Sequence, residues 1–230
     1  MAFLFICCNL AGIIYPIVMG WQWGGGWLAA AGFSDFAGST LVHSTGGAAA
    51  LAGAIILGPR LGRFTKKGDP APVKPFAASS IPLVTLGIFI LWLGWFGFNG
   101  GSQLAMGTAD DAIAVSSIFI NTLLAGAGGV IVVYGTKFLM SVKIDDVVGA
   151  VPAHLFAGIW GTLIVPATNP DANFGAQALG VVSINAFVFV VAYIVWSIMK
   201  ATIGIRLSKE AETKGTDVSE TGVVAYAIRD

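Results

Sequence analysis

The sequence predicts an all-α polytopic membrane protein, and three observations carry that prediction. Of its 230 residues, 56% are apolar and only 10% charged, whereas a soluble domain carries about 25% charged residues. Apolar runs long enough to cross a bilayer, about 20 residues each, recur along the chain. Its 31 glycines lie mostly inside those runs, where small residues let helix backbones approach closely. Twelve Lys and Arg balance twelve Asp and Glu, so neither a basic face for nucleic acid nor an acidic tail for a basic partner is expected. Cys7 and Cys8 are adjacent and can neither close an ordinary disulfide loop nor build a zinc site. No metal site, no cofactor and no enzymatic activity are expected.

Six spans follow in order, at about 2–20, 36–58, 81–99, 113–140, 147–167 and 178–203, corresponding to a membrane domain over 1–203. Met1 opens directly on an apolar run without a positive leader region, so that run reads as a span rather than a signal peptide. Its abrupt start reads as the middle of a larger protein. The fourth run exceeds one bilayer thickness and must tilt, kink or be composite. Residues 204–230 are polar and read as a tail, either solvated or forming a short helix or docking arm.

Loop charges set the direction, because cytoplasmic loops retain Lys and Arg. Arg60, Arg63, Lys66, Lys67 and Lys74 follow the second span, Lys137 and Lys143 flank the end of the fourth, and the other five basic residues sit at or after the end of the last. The loops 21–35, 100–112 and 168–177 hold no basic residue but contain Asp110, Asp111 and Asp171. Both termini are therefore expected inside, in a plasma or inner membrane.

The two histidines, His43 and His154, both fall inside apolar spans, where ionisable residues are rare and usually face a pathway or a partner. Asp35 to Gly47 and Asp146 to Gly158 share the pattern D-x2-G-x4-H-x3-G. By the charge argument the first begins outside and the second inside, the arrangement of an inverted repeat with its site near the midplane. Each His lies ~12 Å along its helix from its Asp, which brings the two imidazoles to similar depth in a core ~30 Å thick. Neutral imidazoles offer a donor and an acceptor each, and suit hydrogen bonding to a small polar solute or proton relay. Asp35 and Asp146 also suit helix N-caps. Haem ligation by the pair is a separate reading.

At the outer mouth, Trp21, Trp23 and Trp27 sit on a glycine-rich turn just before Asp35. They read as interfacial anchors or as cation-attracting indole faces. Phe98 and Ser102 close the third span, as a hydrophobic gate and a hydroxyl acceptor, or as ordinary packing.

These residues resemble the ammonium transporter family (Amt/MEP/Rh). The stretch DFAGSTLVHSTGGAAALAGAIILGPRLGR at Asp35–Arg63 looks like its signature, ILWLGWFGFNGGS at 90–102 its next helix, and DDVVGAVPAHLFAGIWGTL at 145–163 the helix with a second pore histidine. GIRLSKEAETKGTDVSETG is similar to its cytoplasmic C-terminal region. The resemblance implies Trp23, Ser102 and Asp35 at an ammonium-recruitment site, Phe98 as one of two stacked gate phenylalanines, and His43 and His154 as the twin-histidine pair of the pore. It also implies a homotrimer of eleven-span subunits, with a regulatory partner possible at the tail. Full members have three spans before the one beginning here at Met1, and the other gate phenylalanine belongs to them. The long fourth run reads as the start of the family's seventh span joined to the end of its ninth. Ammonium or ammonia transport is thus the expected function. Alternatives are a membrane ammonium sensor, an Rh-like gas channel, an inactive fragment and a haem-bearing redox protein.

Overall fold

The computed structural model describes residues 2–64, 76 and 78–225, so Lys66, Lys67, Lys74 and Arg229 of the charge argument lie outside the described residues. Helix α1 runs through Ala2–Asn9, a π-helical turn at Leu10–Ile14 and Tyr15–Gln22. It is followed by α2 (Ser39–Leu57), α3 (Ile81–Gly101), α4 (Ala109–Ser141), α5 (Val151–Ala167) and α6 (Phe174–Thr202). Two short helices, α7 (Lys209–Lys214) and α8 (Thr216–Thr221), follow α6 among the described residues.

Among the described residues five segments are long and apolar enough to cross a membrane, and α5 is shorter than the span expected at 147–167. The difference has a local cause. Gly149 adopts φ +73 and Asp146 accepts hydrogen bonds from the Ala150 and Val151 amides at 3.0 and 2.7 Å, so 147–150 form the helix entry. Helix α1 runs past its expected end at 20. Trp21 lies in its last turn rather than in a loop, with its ring 5.0 Å from that of Phe187 on α6. The long fourth run is one helix interrupted by a 3-10 turn at Gly126–Gly128. A Cβ on Gly126 would come within 3.1 Å of the Trp92 ring, so the interruption lies where α3 presses against α4.

Capping explains where the helices begin. Ser80 accepts from the Leu83 amide at the start of α3. Thr108 and Asp111 form a reciprocal capping box at the start of α4, and Asn173 accepts from the Gly175 and Ala176 amides at the start of α6.

The core lies between α2 and α6. Ala48, Ala49 and Ala52 of α2 belong with Ile184, Val188 and Ala192 of α6 to one buried cluster. Gly53 lets the Trp196 ring lie against the α2 backbone, and Gly180 does the same for Phe33 on α6. Helix α3 packs otherwise. It meets the first half of α4 through the Phe96 and Phe119 rings, 5.4 Å apart, and a hydrogen bond from Asn99 to the Thr122 hydroxyl at 2.9 Å.

At one end of the bundle the basic residues are tied together. Arg60 makes a two-pronged ion pair with Asp145, both contacts at 2.8 Å, and Arg63 adds a third at 3.2 Å. The hydrogen bonds from Arg60 hold the Asp145 carboxyl below its ordinary range. The free carbonyls at the end of α2 are capped by cations, Ile56 by Lys200 at 2.8 Å and Leu57 by Arg206 at 3.2 Å. Glu212 on α7 pairs with Arg206 and accepts from the Leu61 amide at 2.8 Å. The start of the tail is therefore docked on the loop that follows α2.

Candidate functional site

The site is built from two copies of one local device. In the first, the Asp35 carboxylate accepts four backbone amides, Gly38 and Ser39 at 2.9 Å and Thr40 and Leu41 at 2.8 Å. It is buried and caps the entry to α2. Gly38 supplies the turn at φ +103, a left-handed conformation that favours glycine. The helix then begins with a π-helical turn, Ser39–Ser44, holding His43. In the second, Asp146 caps with two amides, Gly149 makes the turn, and the π-helical turn Val151–Phe156 holds His154. Such turns occur mostly as local widenings of α-helices and frequently at functional sites.

The closing glycines of the two motifs explain how the copies meet. A Cβ on Gly47 would run into the backbone of Leu155, the residue after His154. A Cβ on Gly158 would stand 2.5 Å from the Ser39 carbonyl and 3.2 Å from the amide of Ser44, the residue after His43. Each glycine thus receives the other copy's π-turn, a reciprocal contact of the kind a local two-fold relation generates.

This packing brings the histidines together. Their Nδ1 atoms are 3.1 Å apart and the rings lie within 3° of parallel. One Nδ1 must donate to the other, which fixes opposite tautomers on the two neutral rings. A linear ligand–metal–ligand arrangement with bonds of about 2.0 Å would need nitrogens about 4 Å apart; here the imidazoles are spaced as hydrogen-bond partners. His154 is exposed and His43 half-buried, the latter lying 5.6 Å, centroid to centroid, from the Phe98 ring.

The remaining site residues take distinct positions. Trp23 donates from its indole nitrogen to the Asp35 main-chain carbonyl at 2.7 Å and packs beside Gly38, so it belongs to the entry of α2. The Ser102 hydroxyl donates to the Phe98 carbonyl at 2.9 Å. His43, His154 and Phe98 form one group, and Trp23 with Asp35 another.

Sequence reasoning missed the polar side chains that fix the pair. The Thr40 and Thr162 hydroxyls meet at 2.6 Å, and the Ser39 hydroxyl donates to the Gly158 carbonyl at 3.0 Å. Ser44 donates to Asn185 at 2.6 Å. Gln177, fully buried, donates to the Ser34 and Thr162 carbonyls and accepts from the Ser34 amide. These bonds cross-link α2, α5 and α6 around the histidines. The signal was available: Thr162 and Asn185 are polar residues within apolar runs and Gln177 borders one, where each needs a partner.

The model described as Ammonium Transporter Family matches residues 1–133 and 126–226, two stretches that overlap within α4. Ammonium transporter Amt2 of Archaeoglobus fulgidus is 31% identical over 299 aligned residues, covering 94% of this chain and 62% of its own length. Ammonium transporter Amt1 of Haloferax mediterranei is 32% identical over 98% of this chain and 57% of its own. Both alignments are longer than this chain, so these relatives carry residues with no counterpart here, and the chain spans about three fifths of their length. Among solved structures, one titled Sensor Amt Protein superposes with a TM-score of 0.77 at 29% identity, covering 91% of this chain and 67% of that one. Candida albicans Mep2 shares the fold at 0.66 and 23% identity, over 92% and 61% of the two chains. With the family model matched over nearly its whole length, this chain belongs to the ammonium transporter family.

Proposed function

We propose that this chain contributes to a pathway for ammonium or ammonia across the membrane, with His43 and His154 as the polar element in its lumen. The observation that supports this reading best is the direct hydrogen bond between the two imidazoles, held inside apolar helices. Two rings of opposite tautomer leave one acceptor and one donor nitrogen free, which suits a solute that both donates and accepts. A proton taken up at the free acceptor nitrogen, passage of the shared proton to the other ring and release of that ring's outer proton together reverse the two roles, so the pair is also suited to proton relay. Trp23 and Ser102 would meet a cation at the acidic mouth, the indole through its face. Asp35 is committed to helix amides, so its part in recruitment would be long-range attraction. Phe98 would screen His43 from that mouth. Both termini of the chain face the cytoplasm on this reading, and the working assembly is a homotrimer.

The test is methylammonium uptake by cells lacking their own ammonium transport. They would express this chain joined to the membrane segments present in the Archaeoglobus relative and absent here. Uptake is expected, and His43→Ala is expected to abolish it or change the transported species. Unchanged flux in that variant overturns the twin-histidine assignment.

Similarity to the structure titled Sensor Amt Protein, together with the docked tail, supports a second reading, ammonium sensing without net transport. A rise in thermal stability with ammonium and no uptake would favour it.

A further inference from the structure

The two halves of the reciprocal glycine contact are held by different means. Where Gly158 receives the first π-turn, the Ser39 hydroxyl donates to the Gly158 carbonyl at 3.0 Å, and a Cβ on Gly161 would stand 2.5 Å from that hydroxyl oxygen. Next to it the Thr40 and Thr162 hydroxyls meet at 2.6 Å, with both residues almost wholly buried. Thr162 is gripped from behind as well, because its carbonyl accepts from the Gln177 amide at 3.1 Å. Gln177 spends the rest of that amide on Ser34, donating at 2.7 Å and accepting at 2.8 Å.

The offset of 111 residues that carries His43 onto His154 carries Ser39 onto Ala150, Thr40 onto Val151 and Leu51 onto Thr162. The hydroxyl pair of one half thus corresponds to an apolar pair in the other, Val151 in the core and Leu51 packed against it. Among the described residues, every side-chain hydrogen bond between α2 and α5 other than the histidine bond lies at the Gly158 contact. The two kinds of contact resist different displacements. Apolar groups lose little when one helix slides slightly along another. A hydroxyl pair shut away from water resists that slide, because parting leaves two buried polar groups unpaired. The histidine bond needs such resistance, since at 3.1 Å it lies near the long end of the ordinary range of about 2.7–3.2 Å and has little slack.

We propose that the Thr40–Thr162 hydroxyl pair, backed by Gln177, is the positioning element of the histidine pair. It sets the register of α5 on α2, and through that register keeps the two Nδ1 atoms within hydrogen-bond distance. The apolar half of the contact supplies closeness and the polar half supplies alignment. The inference rests on the reading of His43 and His154 as the working pair, and it names what holds them in their working geometry. Thr40 and Thr162 act through the imidazoles, as positioning residues and not as ligands of the solute.

The chain contains two histidines only, so histidine-specific nitrogen-15 labelling reports on this pair alone when the protein is purified through a histidine-free tag. The test is solid-state NMR of the labelled full chain in lipid bilayers, reading the nitrogen–nitrogen correlation across the Nδ1–Nδ1 hydrogen bond. The unaltered chain is expected to show one protonated and one bare Nδ1 correlated with each other. Thr162→Val removes the hydroxyl at nearly constant volume and should weaken that correlation by roughly fivefold or more in protein that stays monodisperse. Thr40→Val reaches the same bond from α2 and should do likewise. Thr162→Ser keeps a hydroxyl and should keep the correlation, and Leu51→Val, at the equivalent apolar position, should leave it in place. A correlation that survives both valine variants at Thr40 and Thr162 overturns the proposal. Equal loss in Leu51→Val overturns it too, by making the effect one of packing, and so does loss in Thr162→Ser. Absence of the correlation from the unaltered chain would overturn the twin-histidine geometry as well, so failure here and failure of that reading are distinguishable.

Discussion

The two histidine motifs share a sequence pattern, a left-handed glycine, a π-helical turn and a capping carboxylate, yet they occupy different surroundings. The first continues into α2, which α6 covers with Ile184, Val188 and Ala192. The second sits on a helix of only 17 residues, Val151–Ala167, and leaves His154 exposed. Even the caps differ, with four amides on Asp35 and two on Asp146. Local geometry is thus written in the thirteen residues of each motif, whereas burial is conferred by whichever helices lie alongside.

The severest way to break this comparison is at the reciprocal glycines. Gly47→Val and Gly158→Val each push a side chain into the opposite π-turn and should cost about 3 kcal/mol, read as loss of the monodisperse peak in detergent chromatography. Loss in only one variant would show that the contact is not reciprocal. The caps sharpen the difference next. Asp35→Asn should cost about 2 kcal/mol and Asp146→Asn about 1, measured by thermal unfolding in detergent, and equal losses would contradict the amide count.

Asp145 probes the loop that leads into the second motif. Its carboxyl is held below the ordinary range by hydrogen bonds from Arg60. Its contribution is therefore complete above the unfolded value near ~3.9 and is lost as the pH falls through the lower folded value. Asp145→Asn should cost about 2 kcal/mol at neutral pH, since Arg60 keeps some access to water. The gap in melting temperature between the two proteins should close on acidification from about pH 5 to about pH 2; a constant gap would contradict the ion-pair account. The smallest effect belongs to the tail. Glu212→Gln weakens a partly exposed pair and should cost under about 1 kcal/mol. It should still speed hydrogen exchange at the Leu61 amide, which donates to Glu212.

The all-helical class, the repeat and the pairing of the histidines were legible in the sequence because each rests on a regular pattern. Apolar runs have a fixed length, and Asp, Gly and His recur at fixed spacing. The shortness of α5 was not legible, since nothing in 147–150 distinguishes an apolar turn from an apolar helix until Asp146 is seen to cap Ala150 and Val151. The reach of α1 through Trp21 was hidden likewise, because a glycine-rich run following Trp23 reads as a loop from its first aromatic. Asp145 was overshadowed by Asp146 beside it. Only the fold brings Arg60, 85 positions earlier in sequence, within reach of one carboxylate and not the other. Thr40 with Thr162, and Ser44 with Asn185, needed three-dimensional partners that no spacing predicts.

The course of α4 as one span, carried through its 3-10 turn, has a consequence for the membrane itself. From Ala112 to Thr136 it carries no charged residue, a stretch of ~37 Å at 1.5 Å per residue against a hydrocarbon core of ~30 Å. The surplus must be absorbed by inclination or by local thickening of the lipid, at a fraction of a kcal/mol per Å. Acyl-chain length thereby becomes a determinant of how comfortably this protein sits, and thick, sterol-like or long-chain bilayers should hold it better than thin ones.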